Sequence, residues 1–589
     1  MITTPLYTAL LYDEAIHAWQ AFRQPCKVVA THRADEVQAA LQEVEQAVSE
    51  QGLHAVGFVS YEAAPAFDPA LEVHADSNFP LLWFGLFEKS ETVPLPEADA
   101  PPQLGWQSGL SAHDFSMAIA TIKQAIARGE TYQVNFTFPF TAPFSTDVAT
   151  PSPYDPWPFF LTLVRNQQAR HAAWLDTGRF SLCSASPELF FQLDGKRLWS
   201  RPMKGTAPRG LTLADDRANA EALRSSEKDR AENVMILDMI RNDLGRLPGG
   251  PVQTTDTFSI EKYPTLWQMT STAETITEAS ICEIFRALFP CASITGAPKV
   301  QTMKLIRDLE RQPRRIYTGA IGLISPGRQA RFSVAIRTAL IDRERQSVEY
   351  GVGAGITWNS DPAAEYRECL LKARILSQPQ PEFRLLETLL WEPEEGYALQ
   401  GEHLGRLAAS ANYFDIPLRQ EKIGTQLDKV AAALSPKPHK VRLLVAQNGE
   451  IETEAAPLEL PETATPLRVA LAHEPVDSAD PFLYHKTTRR EVYESALRNH
   501  PDVDEVLLWN ERGELTEACN CNLVVEKNGE LFTPPVHSGL LSGTLRACLL
   551  QEGKIREQKL RKDELEACDK LWLINSVRGW REAYIGEDT

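Results

Sequence analysis

The sequence predicts an α+β fold in two domains, on three observations. Its strand-like runs cluster as hairpins, which build antiparallel sheet, and helical runs stand between the clusters. Proline-rich spacers divide a chain of 589 residues, which is too long for one core. Asp194-Gly195, between the apolar runs "ELFFQL" and "KRLWSR", is a strong two-residue hairpin signal.

In chain order, "VPLPEADAPPQ" (93–103) sets an N-terminal section, 1–103, apart from a core over 110–377. A helix is predicted over 114–128, and "TPSPYDPWPFF" (150–160) reads as a loop. Strands follow at 180–185, 189–193 and 197–201, the last running toward Lys204 as the partner of the strand that Glu188 opens. Helices are predicted over 214–244, 280–289 and 299–309, then strands over 316–324, 330–340 and 347–357. A last helix covers 362–376, with Asp361 as N-cap and Pro362 at its first position. "SQPQPEF" (377–383) is an extended spacer, which sets the domains at 1–378 and 379–589. Beyond it "FRLLETLLW" reads as strand, "EHLGRLAASANYF" as amphipathic helix and "ERGELTEACNCNLVV" as strand, turn and strand.

Composition excludes some functions. Hydrophobic content of 43% and charged content of 24% fit a soluble globular protein. A net charge of −19 argues against non-specific nucleic-acid binding, and an anionic substrate would need local cations. Nine cysteines without C-x-x-C or zinc-ligand spacing read as reduced thiols in a cytoplasm. The chain shows no signal-peptide pattern at its start and no apolar run of membrane-spanning length.

Three features carry chemistry in the first domain. Lys204 follows Glu188 by sixteen positions, and partial burial would lower the amine pKa and raise that of the carboxyl, giving a nucleophile and an acid. Asp229 with Glu232, and Glu365 with Glu368, stand three apart and share helix faces. Two such helices facing each other would hold Mg²⁺ through one or two carboxylates. Gly351, Gly353 and Gly355 alternate and leave one strand face bare, which marks close approach of a ligand or of another backbone. Singly, these also read as a solvated turn lysine, solvated helix faces and tight sheet packing.

Together with "SITGAPK" (293–299) and "FSVAIRT" (332–338), they resemble the chorismate-utilising enzymes from about residue 110 to 377. Within that family the anthranilate-forming branch has a small residue where Lys204 stands, and the aminodeoxychorismate-forming branch has P-x-K-G-T, matched here by "PMKGT". The resemblance implies that Lys204 adds to C2 of chorismate as the C4 hydroxyl leaves with a proton from Glu188. Ammonia then attacks C4 and expels the lysine. It implies Glu232 and Glu368 as direct Mg²⁺ ligands with Asp229 and Glu365 in support. It assigns the substrate to Ser293, Thr295, Tyr317, Arg337, Lys372 and the amides near Gly353 and Gly355.

In the second domain Lys486 precedes a helical run, Glu517 lies on a strand, Arg406 on a short helix, and Ser542-Gly543-Thr544 opens a helix, a natural phosphate site. Each has a plain surface or capping reading. In this order they resemble the fold-type IV pyridoxal-phosphate enzymes over nearly all of 383–589. That resemblance implies Lys486 as the Schiff-base lysine, Glu517 as partner of the pyridinium nitrogen, and Arg406, Thr544 and Ser576 as phosphate contacts. It also allows a homodimer through this domain. The motifs alone leave lyase and aminotransferase open. The fusion favours a lyase, because a C4 amine made by the first domain invites loss of pyruvate and formation of 4-aminobenzoate. The alternatives are an aminodeoxychorismate or anthranilate synthase joined to a branched-chain or D-amino-acid type aminotransferase, and a non-catalytic chorismate-binding scaffold. No cysteine has the flanking glycines of a glutaminase nucleophile, so ammonia is expected from a separate glutamine amidotransferase subunit.

Overall fold

The computed structural model describes residues 8–95, 104–144, 155–376, 382–459 and 465–586, and the three proline-rich stretches lie partly outside them. The chain divides into two bodies. One comprises Met1–Pro208 and Ala220–Gln380, the other Arg209–Asn219 and Pro381–Thr589.

The first body holds two large antiparallel sheets. The described residues before 103 are shared between these two sheets. Ala9–Asp13, Ala18–Phe22 and Glu91–Val93 extend one sheet, and Lys27–Thr31, His54–Val59 and Leu82–Phe87 extend the other. Leu11 and Phe22 from one sheet and Phe58 and Trp83 from the other share one buried apolar cluster, so the sheets pack face to face. Helices Ala34–Gln51 and Ile281–Leu288 bury their apolar faces against the second sheet, and Ala112–Ala127 and Trp157–Gln167 against the first.

Four predicted elements change at points that matter to the site. The helix over 214–244 is two, Leu213–Ser225 and Glu227–Leu244, because the Ser226 hydroxyl accepts from the Asp229 backbone N–H and caps a new start. The strand over 330–340 is also two. Gln329–Val334 belongs to the second sheet and Thr338–Asp342 to the first, and the chain crosses between them at Arg337, whose φ is +51°. The strand predicted from 316 begins at Ala320, because Tyr317 and Thr318 (φ +63°) lie in a turn. The helix from Pro362 ends at Ala373 and continues as a single 3₁₀ turn.

The Asp194-Gly195 hairpin forms, with Asp194 opposite Arg197 and Gly195 at φ +58°. It does not deliver Lys204. The Arg197–Arg201 strand stops at Pro202, and Lys204 lies on a separate strand, Met203–Pro208, paired to Leu266–Ile276. Two strands therefore stand between this one and Leu189–Asp194, the strand that Glu188 precedes.

The second body has a four-stranded antiparallel sheet around Leu385–Glu392 and His439–Val445, with helix Gln400–Tyr413 packed on it. Its eight-stranded sheet is mixed. Leu467–Leu471 runs parallel to both Glu505–Trp509 and Gly579–Ile585. Both bodies are thus α+β, as the hairpin pattern predicts. Among the described residues no helix is long and apolar enough to cross a membrane.

Candidate active sites

The first site lies where the two sheets meet. Lys204 comes from the second sheet and the glycine strand Ser347–Ile356 from the first. The alternating glycines make the close approach possible: a Cβ on Gly355 would overlap the Lys204 Nζ, one on Gly351 would overlap the Tyr317 ring, and one on Gly353 would come 2.6 Å from Thr137 Cγ2. Burial lowers the Lys204 amine pKa, and Lys372 adds to this while Glu232, Glu368 and Glu188 oppose it. The Lys204 backbone is held from the Glu227–Leu244 helix, where Asn233 Nδ2 donates to its carbonyl at 3.2 Å.

Glu188 is 3% exposed, and its Oε1 accepts from the Ser293 hydroxyl at 2.6 Å. Burial pushes its carboxyl up to about 7, against the Ser293 hydrogen bond and the Lys204 charge. A proton is therefore available on Glu188 near neutral pH, as a general acid requires.

Helix Pro362–Ala373 packs on the glycine strand and supplies Lys372, while Arg337 comes from the crossover between the two sheets. Lys372 Nζ donates to the Gly353 carbonyl at 2.8 Å and pairs with Glu368 at 2.7 Å, and Arg337 donates to the Lys372 carbonyl at 2.5 Å. Lys372 brings Glu368 below the usual carboxylate range, whereas burial raises Glu365, which also bonds Ser360. Glu232 and Glu368 thus reach Lys204 electrostatically from two different helices. Asp229 is engaged by the Ser226 hydroxyl at 2.5 Å. Thr295 is fully buried and donates to the Cys291 and Ala292 carbonyls, so its hydroxyl serves the local turn. Among the described residues no three His, Cys, Asp or Glu side chains gather as a metal cluster. Glu232 and Glu368, which both act on Lys204, are still a donor set that fits Mg²⁺, which keeps waters and substrate oxygens as its other ligands.

Sequence reasoning missed Gln133. It is 1% exposed on strand Gln133–Pro143, its Nε2 lies 2.8 Å from where a Gly355 Cβ would stand, and its Oε1 has no partner. A buried amide acceptor beside an amine pocket leaves a hydrogen-bond site for an incoming donor. A glutamine inside the apolar run "QVNFTF" was the available signal.

The second site is a set of interlocked pairs. Lys486 follows a 3₁₀ turn at Pro481–Leu483, and the edge of strand Leu385–Glu392 pins its backbone, with the Leu386 N–H donating to the Lys486 carbonyl at 2.9 Å. Burial brings its amine down to about 8, with Arg406 pushing the same way. Glu517 is 6% exposed, and accepts from Tyr493 OH at 2.8 Å, Asn522 Nδ2 at 3.1 Å and the Leu541 N–H at 3.2 Å. Burial pushes it up to about 7 against those donors.

Arg406 makes two bonds to Glu387, at 2.9 and 2.6 Å, and donates to the Ser542 carbonyl at 3.0 Å. His403 sits between Glu387 Oε2 at 2.6 Å, Ser576 Oγ at 3.0 Å and Thr544 Oγ1 at 3.3 Å. Burial would raise Glu387, but Arg406 and His403 together hold it at about 2. Arg406, Ser576 and Thr544 therefore converge as one cup at the start of helix Thr544–Gln551. Gly543 precedes that helix without a side chain, and a Cβ there would overlap Asn522 Oδ1. Such a cup of cation, hydroxyls and helix start fits a phosphate. Glu387 and His403 were missed. Their signals were a lone acid in "LLETLLW" and a histidine three positions before Arg406 on one helix face.

Comparison with known proteins agrees with this division. Residues 7–378 match the family model described as chorismate binding enzyme, and residues 384–583 match amino-transferase class IV. Over 289 residues the chain is 41% identical to an aminodeoxychorismate synthase of Streptomyces griseus, covering 48% of this chain and 38% of that protein. It is 34% identical over 287 residues to aminodeoxychorismate synthase component 1 of Escherichia coli K12, covering 48% and 61%. The chain thus spans between about two fifths and three fifths of these relatives' length. Anthranilate synthase component I of Streptococcus pneumoniae shares the fold, with a TM-score of 0.52 at 21% identity over 64% of this chain and 94% of that one. With its first 378 residues matched almost from end to end, the chain belongs to the chorismate binding enzyme family, and it continues into an amino-transferase class IV domain.

Proposed function

We propose that the chain makes 4-aminobenzoate from chorismate in two steps, one in each body. The observation that carries the reading is the Lys204 amine, desolvated against a side-chain-free strand, with a carboxyl nearby that still holds its proton near pH 7. Lys204 Nζ adds to C2 of chorismate, both ring double bonds shift by one position, and the C4 hydroxyl leaves as water with the Glu188 proton. Ammonia then adds at C4, both double bonds shift back and the Lys204 amine leaves from C2. Lys372 and Arg337 supply the cations that a substrate with two carboxylates needs in an acidic protein, and the unpartnered Gln133 Oε1 would accept a hydrogen from ammonia. Glu232 and Glu368 would hold Mg²⁺, whose charge would balance a substrate carboxylate.

In the second body Arg406, Thr544 and Ser576 would hold the phosphate of pyridoxal phosphate, and Glu517 would face its ring nitrogen. When bound, that cofactor supplies an electron sink for the carbon bearing the amine. Lys486 takes the C4 proton of 4-amino-4-deoxychorismate, pyruvate leaves from C3, and the ring becomes aromatic. Its amine, brought down to about 8, suits a base at neutral pH.

Nitrogen would come from a separate glutamine amidotransferase. Burial raises eight of the nine cysteine thiols, the reverse of what a nucleophilic thiolate needs. A homodimer through the second body belongs to the same reading. The test is to incubate the purified chain with chorismate, Mg²⁺ and pyridoxal phosphate, with ammonium or with glutamine. We expect 4-aminobenzoate with ammonium and none with glutamine. Anthranilate as product would overturn the first step, 4-amino-4-deoxychorismate that persists would overturn the second, and turnover on glutamine would overturn the separate partner.

A further inference from the structure

Eleven residues of the second body come from inside the first. After Pro208, four positions beyond Lys204 on the chain, Arg209–Asn219 joins the body formed by Pro381–Thr589, and the chain returns at Ala220. The segment is closed on itself by a buried ion pair. Arg209 Nε and Nη2 bond the two Asp216 oxygens at 2.7 and 2.8 Å, and the Gly210 N–H donates to Asp216 Oδ1 at 2.9 Å. Asp216 is 1% exposed, and a Cβ on Gly210 would overlap its backbone nitrogen.

The segment then grips two pieces of the second site. Arg209 donates to the Tyr413 carbonyl at 2.8 Å, one of the last carbonyls of the helix that carries His403 and Arg406, and lies over the Tyr413 ring at 4.5 Å. Tyr413 OH returns a bond to the Gly210 carbonyl at 2.8 Å. The Leu211 backbone lies against the imidazole of His485, the residue before Lys486, and its side chain packs with Leu483 and Tyr484. His485 is 5% exposed, bonded to Ser410 at 2.9 Å, with its ring 4.3 Å from that of Tyr413. One short segment thus touches both the end of the phosphate-cup helix and the step that presents the lysine.

We infer that Arg209–Asn219 is a positioning strap for Lys486. It fixes the end of helix Gln400–Tyr413 against His485, so the second site is complete only with chain borrowed from within the first body. The inference rests on reading Lys486 as the Schiff-base lysine. Arg209 and Tyr413 act through their neighbours and touch neither substrate nor cofactor.

The test uses the full chain with Tyr413→Phe, which removes one hydroxyl, and with Arg209→Ala and Arg209→Lys. Borohydride reduction of the wild type with pyridoxal phosphate, followed by peptide mapping, checks the underlying reading. Label on another lysine overturns that reading and the strap with it. With Lys486 labelled, we expect Tyr413→Phe and Arg209→Ala to weaken pyridoxal-phosphate binding by the apoprotein and to displace the pH midpoint of the bound cofactor's visible band. Hydrogen exchange at 484–488 should be faster in both. The kcat of pyruvate release should fall about tenfold, the scale of a small misplacement of a catalytic group, while KM changes little and Arg209→Lys recovers part of the loss. Wild-type band midpoint, cofactor affinity and exchange in Tyr413→Phe would overturn the strap, even if Arg209→Ala fails to fold.

Discussion

Lys204 and Lys486 are both amines made easier to deprotonate by burial, and their surroundings are built in opposite ways. Around Lys204 the structure removes side chains. Three glycines clear one strand face, Gln133 Oε1 is left without a partner, and Glu188 keeps a proton near neutrality. Around Lys486 it interlocks them. Glu387 is shared by Arg406 and His403, and Glu517 takes three donors. On the proposed function, the difference separates a site that a substrate enters and leaves from one prepared for a resident group. In the first, close approach to bare backbone and one unpartnered acceptor are the working parts; in the second, they are pairs fixed in advance.

The sharpest way to break this contrast is to exchange the lysines for alanine. Lys204→Ala should slow formation of 4-amino-4-deoxychorismate by about a thousandfold or more and leave pyruvate release intact, and Lys486→Ala should do the reverse, so that the intermediate accumulates. Separate assays of each step check this, and loss of both steps in either variant would refute two independent sites. Next in size is Glu387→Gln. It leaves the partly buried Arg406 without its counter-charge and should destabilise the second body by about 2–3 kcal/mol, read by denaturant unfolding at pH 7. Glu387 is held at about 2, below its unfolded value, so its contribution is present at neutral pH and is lost as pH falls toward 2. The variant should therefore converge on wild type in acid.

A smaller effect sharpens the first site. At constant free ammonia the first step should slow as pH rises through about 7, because Glu188 loses its proton there. Glu188→Gln should lower the rate about a hundredfold and abolish that limb of the profile. The smallest effect concerns the second lysine. Capture of pyridoxal phosphate by the apoprotein should rise with pH and level off above about 8, where Lys486 is neutral. An exposed lysine would keep gaining up to about 10.4.

Much of this was legible locally. The helix Lys299–Leu309 and the strand Arg197–Arg201 begin and end where the pattern puts them. The breaks were less so. Ser226 reads as a solvated helix residue until its hydroxyl is seen to cap Asp229, and "FSVAIRTAL" reads as one strand although the chain changes sheets inside it. Periodicity reports one face of one element, and a change of sheet alters the partner without altering the period. The same limit hid His403, Glu387 and Gln133, whose meaning lies in what faces them. It also hid the place of Arg209–Asn219, which depends on residues about two hundred positions further on.

That distance has a consequence for how the molecule is made. Tyr413 and Gly210 are 203 residues apart, so during synthesis the strap emerges long before the body it belongs to. Met203–Pro208 and the Glu227–Leu244 helix can pair and pack around Lys204 while the strap has nothing to dock on. The second body then closes on a segment already tethered at both ends, a contact of high sequence separation and slow to form. A cut in the spacer at 377–383 would for the same reason not give two complete bodies. A chain cut there would leave the strap on one fragment and the Tyr413–His485 surface it grips on the other, and the second half would have to recover by collision what the intact chain holds by covalent connection.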